Sequence, residues 1–507
     1  MASRILLLLT ILCILRNVAG RPNLGMNGNV AGSSIAIGTS GSASFIIDAL
    51  GSYKIQLGSE YQPLYTMQNA FYSVAEKFTT AGIAVTDNIL LLADDNSGFV
   101  TPPFQAAITA LSNLQSVIST EFIQEFQTLQ YRDKTFITDR LLDSLIYITE
   151  TLTQLDEALR PLQTAAEHAQ AAAGGNGIPV MQEPSRKIVT PRLVNSLLNA
   201  IVPIPATISP LIYSIHEPLA QLDRGDSYIS TAKGDLEAAL LQAHQEVVNF
   251  NGNVRTLKQD TNTVIASLST SYGEQATQIV DILPKLKAST NYPYELSYAL
   301  QTFDETASIP SIEEKTSVVD VTIEEYIDVA KTFDDDLVTV YGDRICPVLR
   351  GVVQVLIASG PYADYCYQKY AQRVVDLAVH NFYDIGECYE LELNRLYSVS
   401  RLITNIVNLA MFNFAELFEN LNTCATILPC PSVCDPCINT LGKLLDTQSR
   451  LMEEKFDLIL QIVPYETKAS LQRLKSCAAF TKYKLIADAY DLLRNVYKCE
   501  YTGYRQV

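Results

Sequence analysis

Between Ile14 and Ile345 the chain has no cysteine, which excludes a disulfide framework over roughly its first two thirds. Histidine is nearly as scarce. His168, His216, His244 and His380 are scattered, and none has a partner at metal-ligand spacing. Each reads as a surface or packing residue rather than a catalyst. There is no Walker loop, no GxGxxG, no HExxH and no GxSxG. Nothing in the sequence therefore supports an enzyme, a cofactor or a bound metal. Basic residues are outnumbered, 37 Lys and Arg against 55 Asp and Glu, for a formal charge of −18. That argues against nucleic acid and against anionic membrane surfaces as partners. No Asn-x-Ser/Thr occurs, and Asn422-Thr423-Cys424 is the one rare sequon. If Cys424 is in a disulfide, Asn422 is expected to stay bare. No long alternating strand pattern appears either, so the fold class expected is all-α.

The first 20 residues, MASRILLLLTILCILRNVAG, read as a signal peptide. Arg4 supplies the charge, Ile5 to Leu15 the apolar core, and Val18 and Gly20 the small residues before cleavage at Arg21. Cleavage removes Arg4, Arg16 and Cys13, leaving a charge near −20 and nine cysteines. Nine is odd, so one thiol is free or pairs with a second chain, and a disulfide-linked homodimer is one outcome. The apolar content is ample for packed cores, and the length suits two to three domains.

Residues 21–62 are rich in Gly, Ser and Ala and read as a flexible segment, with a short element around Phe45 to Leu50. Residues 63–320 read as a region of long amphipathic helices, in a bundle or coiled hairpins. One helix covers about Tyr65 to Ala93, and a second starts after Thr101-Pro102-Pro103. A third carries Leu141, Leu145, Ile148, Leu152, Leu155, Leu159 and Leu162, a strict 4-3 seam that Pro161 should end or kink. Gly174-Gly175 closes it. A second seam runs from Leu236 through Ala243, Phe250, Leu257 and Thr261 to Leu268. Phe303 to Asp336 reads as an acidic connector, with a domain boundary near residue 320. Residues 321–507 read as a cysteine-rich helical domain. Its helices run from about Asp384 to Leu421, with Cys388, Leu391, Leu402, Leu409 and Leu417 inward, from Ile438 to Ile462 before Pro464, and from Lys468 to Lys498, with Tyr483 and Tyr490 on the apolar side.

Three features are candidates for function. Cys346, Cys366, Cys388, Cys424, Cys430, Cys434, Cys437, Cys477 and Cys499 read as a disulfide framework tying helices to one Pro-rich connector. A zinc knuckle or a Cys434–Cys437 redox pair is the alternative, disfavoured by secretion and by the missing βαβ setting. Arg224-Gly225-Asp226 resembles the integrin-binding tripeptide and is placed on an exposed turn, with Asp226 or Ser227 as a helix N-cap an equally simple reading. Leu193 to Ile215 carries no charge between the two seams. It is either a buried connector or the insertion element of a helical pore-forming protein, although its prolines argue against a simple spanning helix.

Cys346, Cys366 and the Cys424-x5-Cys430 group, with Tyr-rich helices between them, resemble the cysteine-bearing domain of insect secreted proteins of the tsetse EP type. The resemblance covers about a third of the chain. Cys388 and the compressed Cys430–Cys434–Cys437 group depart from it. It implies an extracellular, gut-associated insect protein without known catalytic residues. The function expected is extracellular binding or assembly through a protein partner or self-association. Membrane activity through residues 193–215 and cell adhesion are the alternatives.

Overall fold

The computed structural model describes residues 24–27, 30–130, 134–180, 187–289, 291–333, 337–427 and 434–504. The signal peptide, Asp334 to Asp336 and Cys430 lie outside the described residues. The described residues contain α-helices and two π-helical turns and no strand. The helices are α1 Ser33–Ser52, α2 Gln62–Asp94, α3 Thr101–Ser116, α4 Ile123–Leu129, α5 Phe136–Ala172, α6 Pro191–Ile201 and α7 Ile204–Lys287. They continue as α8 Ser297–Ala307, α9 Ile309–Ala330, α10 Leu337–Ile357, α11 Ala363–Ile427 and α12 Cys434–Thr502. The all-α expectation holds.

The chain divides into two compact units, and the division is not a single cut near residue 320. Unit 1 takes Met1–Ala232, Leu349–Ala371 and Arg494–Val507. Unit 2 takes Lys233–Val348 and Gln372–Leu493. Residue 320 lies in the middle of α9. The acidic stretch expected as a connector forms α8 and α9, because Phe303, Ala307, Ile312, Val319, Tyr326 and Ile327 recur at helical spacing and are buried.

In unit 1, α1 replaces most of the flexible segment expected over 21–62. Its buried residues are Ser33, Ala36, Ser40, Ala43, Ile47 and Leu50, an unbroken 3-4 spacing of mostly small side chains. Small residues let the helix lie close to α2, and Ile47 meets Gly82 across that contact. Helix α2 carries Leu64, Phe71, Val74, Phe78 and Val85 into the core. In α5 all seven residues of the predicted seam are buried, Leu141, Leu145, Ile148, Leu152, Leu155, Leu159 and Leu162. The helix continues through Pro161, which is exposed on the opposite side. Glu157, whose carbonyl loses its helical N–H partner to the proline, is at an exposed position, while the seam goes on burying side chains. The helix ends where Gly174 and Gly175 take φ of 110° and 106°.

Unit 2 is built around aromatic clusters. Tyr272, Phe303, Phe414 and Phe418 group with centroids 5.4 to 6.5 Å apart. Phe250 packs against Tyr326 and Tyr389 at 6.3 and 5.1 Å. Most of the second predicted seam is buried here, including Ala243, Val247, Phe250, Val254, Leu257, Thr261 and Leu268. Lys258 on α7 holds α9 through Asp320 at 3.1 Å and Glu324 at 2.5 Å. The two C-terminal helices expected on either side of Pro464 are one helix, α12. Pro464 is exposed, and Val463 and Thr467 beside it are buried, so packing outweighs the proline. A second π-turn, Tyr292–Leu296, lies against α12 so closely that a Cβ on Gly442 would overlap the Glu295 carbonyl oxygen.

Candidate functional site

The cysteines join helix to helix rather than helix to connector. Cys366 bonds Cys499 and Cys388 bonds Cys477, with Cα atoms 5.8 and 6.0 Å apart. Cys424 bonds Cys437 across the connector that follows α11. Partner numbers fall as α11 numbers rise, so each bridge reports an antiparallel pairing of α11 with α12. Within unit 2, Asn381 donates to the Thr481 carbonyl at 2.9 Å, and Lys484 meets Asp384 at 3.0 Å. Cys346 is a half-buried free thiol. Cys434 opens α12.

Arg224, Gly225 and Asp226 do not form an exposed turn. They lie some six turns inside α7, so Asp226 is not an N-cap either. Helix α7 starts at Ile204 and runs through Pro218 without a break, so no turn precedes the tripeptide. Asp226 is 6% exposed, and its carboxylate accepts from the N–H groups of Gly58 and Ser59 at 2.7 and 2.8 Å. Gly225 faces Val353 and Ile357, and Arg224 is paired with Asp364 and lies over the Tyr367 ring. The carboxylate that would complete a receptor's metal shell is thus spent on an extended strap between α1 and α2. Side chains also hold the strap at Ile55 and Leu57. Tyr72 Oη accepts from the Ile55 N–H at 2.6 Å, Gln68 Nε2 donates to the Ile55 carbonyl at 2.9 Å, and Tyr65 Oη donates to the Leu57 carbonyl at 3.0 Å. His216 stacks on Tyr53 with centroids 4.5 Å apart, and burial pushes its pKa below the ordinary imidazole value.

The uncharged stretch Leu193 to Ile215 forms α6 and the start of α7. Val194, Leu197, Leu198, Ile201, Ile204, Ile208, Leu211 and Ile215 are buried within unit 1, whereas Val202 and Tyr213 are exposed. By length and composition the helical stretch Pro191–Lys287 contains a window able to cross a membrane, with a mean hydropathy of 1.4 and 44% of the window buried.

Elsewhere in unit 1 an open groove of about 860 Å³ runs between α2 and α3, floored by Ala81, Ala84, Ala106 and Ala110. Lys77 stands at its edge, 2.9 Å from Glu125, which also accepts from Ser73 at 2.7 Å. Burial works to raise the Glu125 carboxyl, but the Lys77 and Ser73 bonds outweigh it and hold it below the ordinary value.

The most unusual surface lies on α11 in unit 2. Its inner face is Tyr389, Glu392, Leu396, Ile403, Val407, Ala410 and Phe414. Glu392 is 2% exposed and accepts from Arg473 Nε at 2.9 and 3.0 Å, with Arg473 Nη2 at 2.8 Å. Arg473 also pairs with Glu466, and Arg395 also pairs with Glu392. Burial works to raise the Glu392 carboxyl, yet the bonds from Arg473 and Ser470 prevail and hold it low. Tyr326, bonded to Ser470 at 2.9 Å, is pushed up to about 12 by burial.

The outer face of the same helix carries large apolar side chains as well, interspersed with exposed Asn394, Ser398, Asn405 and Asn408. Leu391, Leu402, Leu409 and Phe412 are 57%, 46%, 54% and 65% exposed. The sequence reading turned Leu391, Leu402 and Leu409 inward; the structure turns them out. The reading likewise placed Tyr483 and Tyr490 on the buried side of α12, where they are 72% and 69% exposed. From Leu393 to Ala415 the only charged residues are Arg395 and Arg401. An acid-free, apolar stretch of this length on a chain of net charge −18 is a local reversal of the surface chemistry. A helix that is apolar on both sides normally has neighbours on both.

No known family, curated protein or solved structure matches the chain.

Proposed function

We propose that the chain is an extracellular helical protein that acts by binding or assembly rather than by catalysis, through the outer face of α11. The observation that carries this reading is the row Leu391, Leu402, Leu409 and Phe412, flanked by Arg395 and Arg401 and free of acid. Exposed apolar surface of this kind marks contact sites. The arginines fit a partner whose contacting surface is both apolar and acidic. The three disulfides fit an oxidising compartment, in keeping with the signal peptide read in residues 1–20. In this reading the resemblance to insect secreted proteins of the tsetse EP type supplies the setting. The test compares the intact chain with Leu402→Glu/Leu409→Glu as immobilised baits in extracellular fluid of its source. Partners retained by the first and lost by the second support the reading. Identical recoveries, or none with either, overturn it.

A second reading uses residues 193–215 as a membrane-inserting element, favoured by the hydropathy of that stretch. Its test is dye release from liposomes. A pure protein that releases none between pH 4 and 8 removes it.

A further inference from the structure

We infer that the outer face of α11 docks on the outer face of α9 in a second copy of this chain, so that copies join head to tail. The inference rests on the binding role proposed above for the α11 face and names its partner. Leu391, Leu402 and Leu409 are spaced 11 and 7 residues apart, which places them within about 20° of one line along the helix. That line is about 27 Å long. Arg395 and Arg401 flank it, one on each side. Arg401 has no ion-pair partner among the described residues.

Charge decides which surface can cover it. If two α11 faces met across a twofold axis at the middle of the row, Arg401 would approach its own symmetry mate and Arg395 would face Val407 to Leu409, while the exposed acids nearest the row, Glu387, Glu390 and Glu416, lie at its ends. Self-pairing of this face is therefore disfavoured. Helix α9 carries the complementary pattern. Val318, Val321 and Val329 are 49%, 53% and 38% exposed, an apolar row about 17 Å long that can cover part of the 27 Å line. Glu314, Glu325 and Asp328 lie along the same line and are exposed. Val319, Ile323, Tyr326 and Ile327 hold the other side of α9 in the core, and Lys258 pins it, so the face is presented by a fixed helix. Leucine would meet valine, and arginine would meet glutamate, as at the flanks of paired helices. The two faces differ, so the contact is heterologous. Each copy keeps one of each, and growth continues unless the geometry closes into a ring.

The experiment uses the full disulfide-bonded chain in sedimentation velocity from about 1 to 200 μM, a range suited to a contact of modest size. Wild type is expected to sediment faster as concentration rises, with the effect weakened by salt. Leu402→Glu/Leu409→Glu and Glu314→Lys/Glu325→Lys each weaken association by about 30-fold or more. The decisive arm mixes the two variants. Each retains the face the other has lost, so the mixture forms a 1:1 pair and stops there. All four substituted positions are exposed, and circular dichroism of each variant checks that it stays folded. A wild-type chain monomeric over the whole range overturns the inference, while bait capture through the α11 face then still tests the binding role by itself. Association of wild type without pairing in the mixture overturns the head-to-tail geometry.

Discussion

Replacing Arg473 by Met exposes what the buried charge cluster of unit 2 contributes. The side chain of Glu392 is 3% exposed, and its main cation is Arg473, through contacts of 2.8 to 3.0 Å. Removing one partner of a buried pair costs about 3–5 kcal/mol. Arg473 is itself 34% exposed and Arg395 remains nearby, so screening reduces the expected loss to about 2–3 kcal/mol. Hydrogen exchange over 385–400 and 463–480 reads this as local opening about 30- to 150-fold more frequent at pH 7. The pH dependence separates charge from packing. In wild type the folded carboxyl is held below its unfolded value. Its stabilisation is present above the unfolded value and is lost as pH falls through the folded one. In the variant, burial acts without Arg473 and raises the carboxyl, so Glu392 takes up a proton as pH falls and the penalty shrinks. The ratio of variant to wild-type exchange should therefore fall toward pH 4. Glu392→Leu/Arg473→Met should recover most of the loss at pH 7. An equal ratio at both pH values, or no effect at pH 7, refutes the reasoning.

Asp226→Ala should free the Gly58 and Ser59 amides and cost about 2–4 kcal/mol, since two charge-assisted bonds are lost from a buried site; unchanged protection of those amides would show that the strap is held otherwise. Gly442→Ala should lower the thermal midpoint of unit 2 by overpacking against Glu295, at about 1–3 kcal/mol, whereas Gly252→Ala, with open space around its Cα, should be neutral or stabilising. Cys346 should take up maleimide without prior reduction, and peptide mapping that finds it blocked would place it in a disulfide.

Legibility in the sequence tracked how one-sided each helix is. The α5 seam was readable because Leu141 through Leu162 has a single apolar side, and periodicity then assigns the core face uniquely. Helix α11 has two. Leu396, Ile403 and Val407 compete with Leu391, Leu402 and Leu409, and spacing alone cannot rank them. The buried Glu392 made the true inner face look like the polar one. The same ambiguity hid the candidate site, since an outward apolar face is indistinguishable from a core face until its neighbours are placed. Helix α1 was missed for the opposite reason. Its Gly and Ser content reads as a linker, and only the 3-4 spacing of Ala36, Ser40, Ala43 and Ile47 signals a helix. Pro161 and Pro464 were overweighted, because local propensity ignores the packing on either side. The Arg224 tripeptide carried no information about depth.

Bridges between α11 and α12 have a consequence for proteolysis. Cys388–Cys477 and Cys424–Cys437 join the same two helices, one near the end of α11 and the start of α12 and one far from them. A peptide bond cut between Cys424 and Cys437 leaves both fragments attached. The cleaved protein would gain the mass of one water and release nothing until it is reduced. Chain continuity between Cys424 and Cys437 is dispensable once the bridges have formed.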